Sequence, residues 1–263
     1  MSQFLGLVRY EYSMSTRRWG MWLAFGLIFL LYVARTLLDA SAQGKLMPIA
    51  DRQVWEYAGR MAFNLNLFMP VVGGIVAADR IARDVRLGVA ELQHSTPIRR
   101  WPYLLGKYVG VLLSILTPPF VFLLFLGIIM MFCGMPPVLL LYTLVAFLAI
   151  VVPAYAFITI FSLAFPLIMP LRVYQVLFTG YWLWGNYLDP RVFPTISNTL
   201  LVACGKYAYE GFFGGKLGSR GVGYNVASHT PLDAALNWMV LAICIVAALI
   251  TLERYLAWRA HGA

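Results

Sequence analysis

The sequence predicts an all-α integral membrane protein. It has six transmembrane helices, an N-terminal interfacial helix, a cytoplasmic helix between the second and third spans, and an outer re-entrant segment. Three observations carry this prediction. Of the 263 residues, 61% are hydrophobic and 12% charged, about half the roughly 25% charged of a soluble domain. The stretch Tyr108–Leu171 contains no Asp, Glu, Lys, Arg or His, whereas about 18 apolar residues already suggest one membrane helix. Basic residues gather in alternate loops, as they do in a multi-pass protein.

The elements follow in order. Residues 1–19 place Phe4, Val8 and Tyr12 at helical spacing between arginines, a pattern for a helix lying in the interface. Eighteen residues including Glu11 precede the first apolar core and no small-x-small site follows it, so that core is a permanent span and not a cleaved signal. The spans are expected at about 20–38, 61–78, 103–132, 138–163, 171–188 and 234–252. The turn Cys133-Gly134-Met135-Pro136-Pro137 separates the third from the fourth, and Pro166 and Pro170 separate the fourth from the fifth. The outer segment 189–233 is apolar from Phe193 to Phe213 and Gly-rich afterwards. Its first half suits a short helical hairpin that re-enters the membrane packed against protein. The chain reads as one transmembrane domain over 1–263.

Six spans put both termini on one side. The cluster Arg80, Arg83, Arg86, Arg99, Arg100 and Lys107 makes that side the cytoplasm. The tyrosines and tryptophans at 181–187, with Trp238, serve as outer interfacial anchors, and Tyr255 and Trp258 as inner ones. The net charge of +9 belongs to membrane flanks facing anionic lipid, not to a nucleic-acid partner.

Several chemistries are excluded. No G-x-x-x-x-G-K-[ST], H-E-x-x-H or G-x-S-x-G occurs, and His94, His229 and His261 all fall outside the spans. Cys133, Cys204 and Cys244 form no paired metal or redox motif; a disulfide between Cys133 and Cys204 on the outer side stays open. Acidic residues sit only in loops or at span ends, which disfavours a proton- or sodium-driven carrier. A channel, or an anchoring or sensor subunit, remains as an alternative to a driven transporter.

Loop 79–102 carries the most information. Ile81, Val85, Gly88 and Leu92 share one helical face, with arginines over much of the rest, and Thr96-Pro97 starts the next helix. Asp84, Gly88, Glu91-Leu92, Thr96-Pro97-Ile98-Arg99-Arg100 and Leu104-Leu105-Gly106-Lys107 together resemble the type-two ABC exporter permease family. Asp84 stands where that family more often carries Glu.

The resemblance implies a permease that binds no cofactor itself and works with separate ATPase subunits carrying ATP and Mg. It implies a second permease chain, identical or paralogous, and a bacterial inner-membrane location. It makes 79–97 the coupling helix, with Arg80, Arg83, Asp84, Arg86, Gly88, Glu91 and Leu92 facing the ATPase. Two further faces are visible: Asn66, Pro70, Gly73 and Ala77 in the second span, and Gln175, Thr179, Trp182 and Asn186 in the fifth. Spacing alone fits either helix packing or a conduit lining; the resemblance implies the conduit. No dense charged lining appears, so a hydrophobic or amphipathic cargo is mildly preferred and its identity is not readable.

Overall fold

The computed structural model describes residues 2–43, 51–86, 100–188, 193–216 and 229–261. Among the described residues there are ten α-helices and no strand: α1 (Ser2–Thr16), α2 (Trp19–Gln43), α3 (Asp51–Leu65), α4 (Met69–Arg86), α5 (Arg100–Phe132), α6 (Val138–Ala146), α7 (Val152–Ala164), α8 (Leu171–Tyr187), α9 (Lys206–Phe213) and α10 (Pro231–His261).

Three stretches are long and apolar enough to cross a membrane: Trp101–Phe132, Val138–Leu167 and Pro231–Arg259. Two bent pairs raise the number to five if each counts as one span. Phe4–Thr16 meets Trp19–Ala34 at 64°, and Gln53–Leu65 meets Met69–Asp84 at 46°. α8, the expected fifth span, has 17 residues, at the short limit for a hydrocarbon core about 30 Å thick.

The helix ends have local causes. α5 closes on Gly134 at φ +96°, where the Gly134 and Met135 N–H groups donate to Met131 and Met130 carbonyls at 3.0 and 3.1 Å. This is the Schellman pattern, which only a residue tolerating the left-handed region completes without strain. α10 opens on a reciprocal cap. The Thr230 N–H and hydroxyl both donate to Asp233 Oδ2 at 2.8 Å, and the Asp233 N–H returns to Thr230 Oγ1.

The expected second and fourth spans are not simple helices. Asn66–Phe68 form a turn between α3 and α4, and Pro70 falls in the first turn of α4, where its missing N–H costs no helical hydrogen bond. The fourth span widens into a π-helical turn over Phe147–Val151, just ahead of Pro153. Proline there has no N–H for the Ala149 carbonyl, and a widened turn relieves the clash of its ring. The freed Ala149 carbonyl accepts the Trp238 indole N–H at 3.2 Å, so this tryptophan is more than an interfacial anchor.

One other expectation changes. The segment 193–213 forms turns followed by the single helix α9, not a helical hairpin. Gly205 sits at φ +82°, where a Cβ would lie 2.5 Å from the Ile150 side chain; no L-residue fits that conformation and that gap together. α9 then packs against α10 and α3. α1 packs along α5, but Tyr12 is exposed while Glu11 and Ser15 are buried. The face of α1 turned to α5 carries Leu7, Glu11 and Ser15.

Candidate functional site

Among the buried polar side chains of this bundle, two clusters hold the residues singled out above. The first joins α1, α4 and α5. Glycines on α5 make room for it: a Cβ at Gly106 would meet the Leu7 side chain at 2.9 Å, and one at Gly110 would meet Glu11 Cβ at 2.7 Å and the Val8 carbonyl at 3.0 Å. This small-xxx-small pair brings α1 into backbone contact. Between the two glycines Lys107 is 1% exposed. Its ammonium donates to Glu11 Oε1 at 2.8 Å and also bonds Asp84 Oδ2. Tyr103 donates its hydroxyl to the same Asp84 oxygen at 2.9 Å. One cation from α5 thus binds a carboxylate from α1 and another from α4, the arrangement that buried charges require.

The second cluster gathers the irregular backbone. Asn66 Nδ2 donates to the Cys204 carbonyl at 2.8 Å and to the Ile150 carbonyl, in the π-helical turn, at 3.4 Å. The Cys204 N–H donates to Asn186 Oδ1 at 3.1 Å, and Asn186 Nδ2 to the Trp182 carbonyl at 2.9 Å. The Leu67 carbonyl, freed by the break before α4, accepts from Trp182 Nε1 at 2.8 Å and Tyr187 Oη at 2.9 Å. Side chains supply the partners that the broken helices lack, as buried backbone groups require. Burial pushes the Cys204 thiol up to about 11.

The predicted residues divide between these clusters. In the coupling set Arg80 is buried, Arg83 is exposed, and Asp84 is turned inward onto Lys107 and Tyr103. Arg86 ends α4; Gly88, Glu91 and Leu92, with the Thr96-Pro97 turn, lie outside the described residues. In the conduit set Asn66, Trp182 and Asn186 are committed to the second cluster, and Pro70 is buried beside it. Gly73 faces Tyr155, where a Cβ would sit 2.9 Å from the ring. These five are packed inside the single chain. Gln175 and Thr179 are half-buried, the Thr179 hydroxyl bonding the Gln175 carbonyl at 2.8 Å.

Sequence reasoning passed over Glu11 as a partner for Lys107. The available signal was an acidic residue and a lysine, each set in an otherwise apolar helical face, with Gly106 and Gly110 flanking the lysine. All three cysteines are free, Cys133 exposed and Cys204 buried. Among the described residues no group of three or more His, Cys, Asp or Glu is arranged to hold a metal ion.

A family model described as ABC-2 family transporter protein matches residues 6–168. Curated proteins and solved structures return no match. The matched stretch contains Glu11, Asp84 and Lys107 and covers more than half of the 263 residues; with its apolar helices, this multi-pass membrane protein belongs to the ABC-2 transporter family.

Proposed function

We propose that the chain is the permease subunit of an ATP-driven exporter in the bacterial inner membrane, six-spanning with both termini cytoplasmic. It pairs with a second permease chain and binds separate ATPase subunits that hold ATP and Mg. The observation that supports this reading best is the Glu11–Lys107–Asp84 cluster. Asp84 stands on the stem of segment 79–97, so a push on that segment is handed directly to α5 and α1. A charged, partly apolar segment with a rigid root is what a soluble motor needs to drive a membrane part.

On this reading Arg83, exposed on α4, and Arg86, Glu91 and Leu92 beyond it meet the ATPase, while Arg80 and Asp84 act from within. The conduit narrows to the Gln175–Thr179 edge of α8. A side chain fully buried in one chain cannot line a path between two chains without leaving its partners. The re-entrant role of 189–233 is kept for α9 and the turns before it.

The test is purification from the native host in mild detergent, wild type beside the double variant Arg83→Glu/Arg86→Glu. A Walker-motif ATPase at one copy per permease chain, lost in the variant, supports the reading. A chain that comes out alone, or with a partner of another class, defeats it.

A further inference from the structure

The Glu11–Lys107–Asp84 cluster is incomplete on one side. Glu11 Oε2, Ser15 Oγ and all three guanidinium nitrogens of Arg80 are buried without a hydrogen-bond partner. Ser15 follows Glu11 by one helical turn on α1, and Arg80 precedes Asp84 by one turn on α4. The same faces that Lys107 clamps together thus each present a further polar group. Among the charges that act on Arg80 are Arg18, which opposes it, then Glu11 and Asp79, which favour its charged form. An ion 3% exposed with no partner is strongly unfavourable, and an orphaned carboxylate oxygen is its natural complement.

We propose that Glu11 is a positioning residue serving two cations in turn: Lys107 in the state seen here, and Arg80 once α4 has been displaced. The exchange moves α1's carboxylate from α5 to α4, so the N-terminal helix follows the driven helix instead of the static one. Ser15, one turn further on, offers its hydroxyl to Arg80 in the second state. The orphaned atoms are then the unused half of a two-position lock. This rests on the ATP-driven reading above, because it needs a motion of α4.

The test is a pair of double-mutant cycles on the complete permease–ATPase complex in nanodiscs. Melting is measured at rest and after trapping with Mg-ATP and vanadate. At rest, Glu11→Gln and Lys107→Met should be non-additive by at least about 3 °C, while Glu11→Gln and Arg80→Met add, and Arg80→Met alone should not lower melting. In the trapped complex the pattern should reverse. Arg80→Gln serves beside Arg80→Met in case the apolar variant misassembles. Coupling of Glu11 to Arg80 already at rest, or to Lys107 in both states, overturns the exchange alone. A chain that captures no ATPase defeats the exporter reading, and this one with it.

Discussion

Lys107 holds Glu11 at 2.8 Å across 96 positions of sequence, and the same ammonium binds Asp84 from a third helix. Exposed ion pairs contribute little. Here the lysine is 1% exposed and Glu11 3%, whereas the Asp84 side chain is 23% exposed, so removing the cation leaves a buried carboxylate without its ion pair beside a second, half-buried one. Lys107→Met should cost about 3–5 kcal/mol, read as a melting temperature lowered by roughly 10 °C. The triple variant Lys107→Met/Glu11→Gln/Asp84→Asn should recover most of it, since neutral amides need no counter-ion. A single variant that melts with the wild type removes the cluster from the stability of the fold.

The close approach of α1 to α5 depends on Gly110. Part of what a new Cβ would meet is backbone, the Val8 carbonyl at 3.0 Å, which cannot rotate away. Gly110→Val should cost roughly 1–3 kcal/mol by overpacking and loosen α1. Tryptic cleavage after Arg9 and Arg17 should then speed up about tenfold. Gly6→Ala is the control, because its Cβ would meet nothing within 4 Å. Equal cleavage of both variants counts against glycine-mediated packing.

The expected membrane class, the helical character and the turn at Cys133-Gly134 were legible because each rests on a local signal: a long uncharged run, a hydrophobic period, a glycine ahead of two prolines. What escaped depended on partners distant in sequence. Pro70 and Pro153 announce a break, but not that Trp182 and Trp238 would satisfy the freed carbonyls of Leu67 and Ala149. Asn66 repeats with Pro70 in one span and Trp182 with Asn186 in another, and periodicity cannot tell a face turned to a conduit from one turned to a broken helix. Asp84 reads as a charge offered to a partner until Lys107 and Tyr103 are seen on it. The face of α1 that meets α5 carries no signal of its own, because Glu11 and Ser15 count as polar in any hydrophobic pattern.

Asn186 closes the second cluster through Cys204, which makes a thiol the reporter. The exposed Cys133 should react with a maleimide at pH 8, and Cys204 should not. Burial holds the Cys204 thiol protonated until pH approaches about 11, and the turn shields it. Asn186→Leu leaves the Cys204 N–H without its acceptor at a cost of about 1–3 kcal/mol. A new label should then appear at Cys204, told apart by mass spectrometry from any on the half-buried Cys244. A Cys204 that labels as fast as Cys133 in the wild type places it outside the cluster.

The two faces of α8 can be separated by substitution. Trp182 is fully buried, with its indole N–H on the Leu67 carbonyl, so Trp182→Ala should cost about 3–5 kcal/mol whatever the oligomeric state. Gly180 is exposed two residues earlier, and a Cβ there meets nothing. It shares its side of the helix with Val173, Val176, Leu177 and Leu183, all exposed. If a second permease chain docks on α8, Gly180→Trp should leave melting unchanged and reduce the dimer fraction in a mild-detergent cross-linking assay. Gln175→Phe at the edge should leave the dimer intact and slow turnover. A full dimer fraction with tryptophan at position 180 moves the interface off α8, and with it the conduit assigned to that helix.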